Sequence, residues 1–212
     1  MPQTFETQLP VPLIQAMAAR GGTRTFPAQT IVVHEEDESD ALFILTKGRV
    51  KVFGTAKNGR EVIYNTHGPG EYFGEMTLDG GPRSASVATL EPSACIVVPG
   101  TQVRDFLATH PDFAIHLVQK LIALVRRSTA SVKRLALDDV YTRVTQLLDD
   151  LAGPDVAGTR VVAERLTQQE IAERVGASRE MVSRIFKQLI EGGYVSLQSR
   201  RITLLRKMPA GW

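Results

Sequence analysis

Short apolar runs separated by turn residues fill the chain from about residue 22 to residue 98. Runs of this length between breaks rich in glycine and proline are typical of β-strands. Asn58 and Gly59 both tolerate a positive φ and predict a tight hairpin turn. Since no helical period alternates with the runs, we expect an antiparallel barrel or jelly roll. At least six strands are predicted, near residues 41–45, 50–53, 61–64, 72–73, 84–89 and 94–98.

After Pro111 the hydrophobic period becomes helical, and it carries two apolar stripes with heptad spacing. A long helix with two such stripes needs two partners. We expect one stripe to pack on the β-domain and the other on a second copy of the chain; a single buried helix in a monomer is the alternative. The stripes are Leu117, Leu121, Leu124, Ser128, Ser131, Leu135 and Val118, Ile122, Val125, Thr129, Val132, Ala136.

The helical pattern resumes after Asp138 and Asp139, which predicts a hinge near residue 138 and a further helix that stops before Gly153 and Pro154. Beyond that stop, two short helices are predicted on either side of Gly176. Thr167 and Glu170 have the spacing of a capping box at the start of the first helix, and Ser178 can cap the second. Two helices across a glycine turn are typical of a helix-turn-helix.

The second of these helices has an inner apolar face and an outer face with arginines near its start. Arg184 and Glu180 are predicted to read bases, because Arg pairs with guanine and Glu accepts from cytosine N4. Residues 194–197 and 202–205 predict a small hairpin wing. The predicted DNA contacts are Thr167, Gln168, Ser178, Arg179, Glu180, Ser183, Arg184, Lys187, Arg200 and Arg201, with Lys187, Arg200 and Arg201 as phosphate contacts.

The charge distribution agrees with this division of the chain. The net charge of +2 over 212 residues indicates no partner by itself. Residues 160–212, however, hold ten Lys and Arg against five acids, a net of +5, which leaves −3 for residues 1–159. A basic C-terminal quarter on an acidic body indicates a nucleic-acid-binding module. A solvated basic surface is the plainer interpretation.

The composition excludes several classes of protein. With 43% hydrophobic and 23% charged residues, the chain is neither disordered nor fibrous. The single cysteine, Cys95, excludes an internal disulfide framework, a zinc ribbon and a cysteine-ligated iron–sulfur cluster, and we expect it in the core. No apolar run is long enough for a membrane span and no signal peptide is evident, so the expected compartment is the cytoplasm.

A segment between residues 74 and 85 has the composition of a phosphate cradle. Gly74, Gly80 and Gly81 free backbone amides, while Arg83 and Ser84 supply a charge and a hydroxyl. Glu75 is placed to accept a hydrogen bond from a ribose hydroxyl, as acids do in other nucleotide sites. A surface turn is the alternative, because Gly-Gly-Pro at 80–82 is also common in such turns.

The Phe-Gly-Glu sequence at 73–75 followed by Pro-Arg-Ser-Ala at 82–85 resembles the phosphate-binding cassette of cyclic-nucleotide-binding domains. With the long helix and the helix-turn-helix, residues 20–206 resemble a transcription regulator of the cyclic AMP receptor protein/fumarate–nitrate regulator family. The resemblance implies an α+β fold: a β jelly roll in residues 1–110, a long dimerisation helix at 111–138 and a winged helix-turn-helix at 139–212.

The resemblance also implies roles for individual residues. Gly74 and Glu75 would hold a ribose and Arg83 and Ser84 a cyclic phosphate, while Ser128 and Thr129 would contact an adenine. Ser128 is equally explained as a small residue that allows close helix packing. The seven residues between Glu75 and Arg83 are one or two fewer than is common in the family. The shorter cassette leaves open a different cyclic nucleotide, or none.

Other sensing chemistry lacks candidates. His34, His67, His110 and His116 are scattered, so we expect surface or capping roles rather than haem ligation. No catalytic set and no metal cluster emerge, so an enzyme is not expected.

The sequence thus predicts a homodimeric regulator that is controlled by cyclic AMP, with no tightly bound cofactor. The expected partners are double-stranded DNA with palindromic TGA-like half-sites and RNA polymerase, and no membrane. The alternatives are control by cyclic di-GMP, no small effector, or a nucleotide-binding regulatory subunit that acts on a protein partner.

Overall fold

The computed structural model describes residues 8–57, 59–156 and 158–209. Asn58, half of the predicted hairpin turn, lies outside the described residues, and Gly59 has the expected positive φ of 78°. The chain forms two compact units, residues 1–127 and 128–212, and the division falls within the long helix.

Two four-stranded antiparallel sheets form the body of the first unit. Their strand orders are β1-β8-β3-β6 and β2-β7-β4-β5, so neighbours along the chain often lie in different sheets, as in a jelly roll. All six predicted strands are present. Within the described residues, the strands of this unit are β1 Gly22–Phe26, β2 Ile31–Val33, β3 Ala41–Lys47, β4 Val50–Thr55, β5 Glu61–His67, β6 Tyr72–Phe73, β7 Ser86–Thr89 and β8 Ser93–Pro99.

The strands β1 and β2 were not among the predicted runs, and both lie at a sheet edge. β1 is largely exposed and has no apolar alternation, while β2 is three residues long. Their pairing with β8 and β7 holds them in place. The backbone ladder therefore specifies these strands more than the side-chain pattern does.

The interior between the sheets is apolar. Phe43 and Phe73 stack with ring centroids 5.0 Å apart, and Cys95 is fully buried beside them. Burial raises the pKa of the Cys95 thiol to about 11. The expected core position of Cys95 is confirmed.

Three helices cover the jelly roll: α1 Val11–Ala18, α2 Gly100–Thr109 and the start of α3 Pro111–Leu137. The first two were not predicted. One face of α3 packs with α2 through Phe106, Phe113 and Leu117. The neighbouring stripe is exposed, with Val118 at 55% and Ile122 at 48%. The first stripe packs on the β-domain only near the start of the helix, where Leu117 is buried; further along, Leu135 of the same stripe is 54% exposed.

Two of the histidine expectations were wrong. His67 and His116 are 7% and 8% exposed. His67 ends the edge strand β5, where its ring stacks on Phe73 with centroids 6.2 Å apart, and His116 lies on the inner face of α3. His34 is exposed, and His110 is the C-cap residue of α2. The burial of a single polar residue cannot be predicted from the sequence unless the surface that packs against it is known.

The second unit is a three-helix core with a small sheet. It consists of α4 Val140–Leu151, β9 Arg160–Val161, α5 Gln168–Val175, α6 Arg179–Glu191, β10 Val195–Gln198 and β11 Arg201–Leu204, with strand order β10-β11-β9. A helix break lies at the position of the predicted hinge, since α3 ends at Leu137 and the Asp139 side chain caps α4 by accepting from the Thr142 amide at 2.7 Å. Phe186 and Leu189 centre the core. Among the described residues, no helix has the length and apolar character to span a bilayer.

Candidate functional site

The candidate cradle begins where β6 ends. Gly74 has a φ of +89°, and a Cβ at this position would lie 2.6 Å from Arg83 Nη1 and 2.8 Å from the Ala41 carbonyl oxygen. Only glycine fits such a backbone beside such close neighbours. The chain then forms a short 3₁₀ turn, Glu75–Asp79, and returns to the guanidinium at Arg83. Gly74, Glu75 and Arg83 are therefore brought together by the turn itself.

Arg83 is held by three acceptors of the protein. Its Nη1 donates to the Gly74 carbonyl at 3.0 Å, Nη2 to the Ala41 carbonyl at 2.8 Å, and Nε to Ser39 Oγ at 3.0 Å. The residue is only 4% exposed. A guanidinium has five N–H groups, so one on each terminal nitrogen is left for an anion.

The charge of Arg83 is embedded in an acidic neighbourhood. Burial lowers the pKa of Arg83, while the carboxylates of Asp40, Asp37 and Glu75 act in the opposite direction. An arginine remains protonated under such a shift. The cradle thus contains a fixed, nearly buried positive charge, which suits a phosphodiester.

Glu75 is paired with a residue that the sequence reasoning missed. Lys120, from α3, places its Nζ 3.3 Å from Glu75 Oε2, and the two side chains are 6% and 9% exposed. The same ammonium donates to the Tyr72 carbonyl and lies 3.6 Å from the centroid of the Tyr72 ring. A signal was present in the sequence, because a lysine three residues after Leu117 falls on the inner face of the helix.

The other predicted effector contacts are more exposed. Ser84 is at the surface, where its hydroxyl donates to Met76 Sδ at 3.2 Å. Ser128 and Thr129 are exposed on α3 and belong to the second compact unit. Their roles stay predictions.

The helix-turn-helix has the local geometry that the sequence predicts. Thr167 Oγ1 accepts from the Glu170 amide at 3.1 Å, and Glu170 Oε2 accepts from the Thr167 amide at 2.6 Å, which completes the capping box. Gly176 ends α5 in the left-handed region with a φ of 65°. Ser178 Oγ accepts from the Met181 amide at 3.2 Å and caps α6.

The outer face of α6 is available to a ligand. Its polar residues Arg179, Glu180, Ser183, Arg184 and Lys187 are all exposed. The pKa of Glu180 is held below its usual value, first by its own backbone amide and then by a hydrogen bond from the Ser178 side chain. Lys187 lies 3.9 Å from Glu191 one turn later, in a pair that is largely in solvent. The start of α6 therefore presents a fixed carboxylate beside exposed guanidinium groups.

The wing adds two more cations. The β10–β11 turn places Ser199 and Arg200 at φ values of 49° and 65°, the left-handed pair that a two-residue hairpin loop needs. A groove of about 420 Å³ runs between the wing and the two helices, and Thr167, Gln168, Arg179 and Arg200 line it together with apolar side chains. Arg201 is exposed at the start of β11. The tertiary structure thus joins the wing turn to the helix-turn-helix.

Both regions have chemistry for phosphate and base recognition. Helix starts, arginines and short polar side chains bind phosphates and base edges. No group of three or more His, Cys, Asp or Glu that could hold a metal ion occurs among residues 8–57, 59–156 and 158–209. The arrangement in each unit therefore suits binding of a charged ligand.

Family models match both units of the chain. Residues 23–110 match a model described as a cyclic nucleotide-binding domain, and residues 142–208 match a Crp-like helix-turn-helix domain. A CRP-like cAMP-activated global transcriptional regulator of Mycobacterium tuberculosis is 32% identical over 183 residues, which cover 84% of this chain and 82% of that one. The cAMP-activated global transcriptional regulator CRP of Haemophilus influenzae is 30% identical with the same coverage.

Solved structures show the same fold. The global regulator CLP of Xanthomonas campestris, described as c-di-GMP responsive, has a TM-score of 0.83 at 23% identity and covers 93% of this chain and 100% of its own. The catabolite activator protein of Thermus thermophilus has a TM-score of 0.55 at 26% identity and covers 92% of this chain and 91% of its own.

Proposed function

This chain belongs to the cyclic AMP receptor protein/fumarate–nitrate regulator family of transcription regulators, and from that premise we propose that it is a homodimer that binds operator DNA under the control of cyclic AMP. The observation that carries the proposal is the combination of a glycine-turned cradle around Arg83 with a helix-turn-helix whose arginine face is exposed. A single helix, α3, joins the two.

On the DNA side, α6 enters the major groove. Arg184 donates to guanine O6 and N7, and Glu180 accepts from cytosine N4, which gives a TGA-like half-site. Arg179 and Ser183 flank these readers on the same exposed face. The remaining contacts go to the phosphates and fix the register of the helix; they are Thr167, Gln168, Ser178, Lys187, Arg200 and Arg201.

The homodimer forms through the exposed stripe of α3. Val118, Ile122 and Val132 are between 48% and 66% exposed and recur at heptad spacing. Packing against the same stripe of a second copy removes this apolar surface from water. Two-fold symmetric dimers of this kind bind two half-sites about one turn of DNA apart, so we expect the DNA site to be palindromic.

On the effector side, Gly74 and Glu75 hold the ribose of cyclic AMP. Arg83 and Ser84 bind its phosphate through the N–H groups that the protein acceptors leave, and Ser128 and Thr129 contact the adenine. The effector shifts the equilibrium toward the DNA-competent arrangement because it binds that arrangement more tightly than the inactive one. The size of the shift is set by the difference between these two affinities. The further partner is RNA polymerase, and the compartment is the cytoplasm.

A second candidate keeps the fold and changes the effector to cyclic di-GMP. Two features favour testing it. The segment between Glu75 and Arg83 has only seven residues, and every nitrogen of Arg83 already donates to the protein. The same two features would also be consistent with a regulator that binds no small effector.

The test uses the full-length protein and a randomised duplex library. We expect cyclic AMP to raise the affinity for the selected duplex about tenfold or more, within the range of coupling between two sites. Fluorescence anisotropy measures this, with cyclic GMP and cyclic di-GMP as comparison ligands and sedimentation equilibrium for the dimer. A response to cyclic di-GMP alone would select the second candidate. Failure to enrich any palindromic sequence would overturn the DNA-binding part.

A further inference from the structure

Lys120 is a buried cation in the effector region, and the proposed contacts to cyclic AMP do not include it. It lies on the inner face of α3 and is 5% exposed. Its ammonium bonds the Tyr72 carbonyl, approaches Glu75 Oε2 at 3.3 Å and lies over the Tyr72 ring. These contacts place it directly behind the carboxylate proposed to hold the ribose.

The buried charges of Lys120 and Glu75 stabilise each other. Burial lowers the pKa of Lys120 and Arg127 acts in the same direction, while Glu75 and then Glu71 oppose them. An ammonium with so little access to water is tolerated when a carboxylate and further hydrogen bonds accompany it. Glu75 gains in turn, because its carboxylate has a fixed partner instead of a mobile one.

The pair uses one oxygen of Glu75 and leaves the other. The bond from Lys120 goes to Oε2, and none of the contacts described for Glu75 uses Oε1. A carboxylate accepts about four hydrogen bonds, so it can hold an ammonium and a hydroxyl together. We propose that Lys120 is a positioning residue that holds Glu75 so that Oε1 accepts from the 2′-hydroxyl of a cyclic ribonucleotide.

This inference rests on the proposed effector, and it makes Lys120 a determinant of ribose against deoxyribose. A hydroxyl bonded to a well-placed carboxylate is worth about tenfold in affinity. If Lys120 orients the carboxylate, removing it reduces that factor while the phosphate contacts of Arg83 remain. General damage to the domain weakens both nucleotides equally and leaves their ratio unchanged.

The experiment measures the affinities of cyclic AMP and 2′-deoxy cyclic AMP by calorimetry. The variants are Lys120→Met, which conserves side-chain volume, Glu75→Gln and the double variant; Lys133→Met, an exposed lysine of the same helix, is the control. We expect wild type and control to prefer the ribonucleotide about tenfold. Each single variant should show little preference, and the double variant no further loss.

The outcomes separate this inference from the function on which it rests. Binding of neither nucleotide by the wild-type protein would overturn both the effector assignment and the role of Lys120. A normal ribose preference in Lys120→Met would overturn the role of Lys120 alone, and a larger preference would show that Lys120 competes with the hydroxyl. If Lys120→Met does not fold, Lys120→Arg and Lys120→Gln replace it, and the preference should survive only in the arginine variant.

Discussion

The two regions that bind charged ligands are built in opposite ways. On α6, Arg179 and Arg184 project into solvent from a helix whose inner face is fixed by the core. In the cradle, Arg83 is 4% exposed and bonded to protein by every nitrogen. The two arginines of α6 are exposed to solvent, whereas Arg83 is already hydrogen-bonded within the fold.

The difference has a physical origin. A DNA surface is large and lies outside the protein, so the side chains that contact it must extend into water. A charged side chain that is solvated in this way costs the fold little stability when DNA is absent. A small effector is enclosed, so the groups that meet it are buried and need partners of their own in its absence. Substitutions on the outer face of α6 should therefore change DNA affinity and leave the stability of the fold unchanged. Substitution of Arg83 should lower both effector affinity and stability.

The largest expected effect is on the stability of Arg83→Ala. The variant loses three hydrogen bonds from a charged group, each worth about 1.5–3 kcal/mol, so we expect a loss of about 3 kcal/mol or more. Calorimetric unfolding measures it, and cyclic AMP binding should be lost as well. Arg184→Ala is the matched control and should unfold within about 0.5 kcal/mol of wild type. Equal stabilities of the two variants would remove the distinction.

The next effect concerns DNA specificity. Arg184→Ala should weaken binding to the selected duplex by about 1–3 kcal/mol and relax the base preference at one position of each half-site. Lys187→Ala serves as the control, since loss of a phosphate contact weakens all sequences alike and reduces the salt slope by about 1. Competition anisotropy over several salt concentrations measures both. An unaltered base preference in Arg184→Ala would contradict its role.

A smaller effect tests the interior of the β-domain through pH. The pKa of the Cys95 thiol is raised to about 11 by burial, against about 8.5 for an unfolded chain. The folded state therefore favours the protonated thiol, and the resulting stabilisation is complete below pH 8.5 and is lost as the pH rises toward 11.

From pH 8 to pH 10, wild type should lose about 1–2 kcal/mol more unfolding free energy than Cys95→Ala. Because Cys95 is the single cysteine, the second unit contributes nothing to this difference. Denaturant titrations at the two pH values measure it. Parallel losses in both proteins would place the thiol in contact with water.

The helix-turn-helix was predictable almost residue by residue. Its capping box at Thr167, its left-handed Gly176 and its cap at Ser178 are local devices that depend on neighbours in sequence. The groove that links Thr167 to Arg200 was not predictable, because only the docking of the wing creates it. The strands without alternation, such as β1, were missed for the same reason.

At the cradle, the sequence by itself determined which groups are present: a glycine turn, a carboxylate, an arginine and a serine within twelve residues. The tertiary structure decided what they contact. The partners of Arg83 come from Ser39 and Ala41, and the partner of Glu75 comes from Lys120, 45 residues along the chain. Hydrogen bonds between distant segments depend on how sheets and helices pack, and no local period encodes that packing.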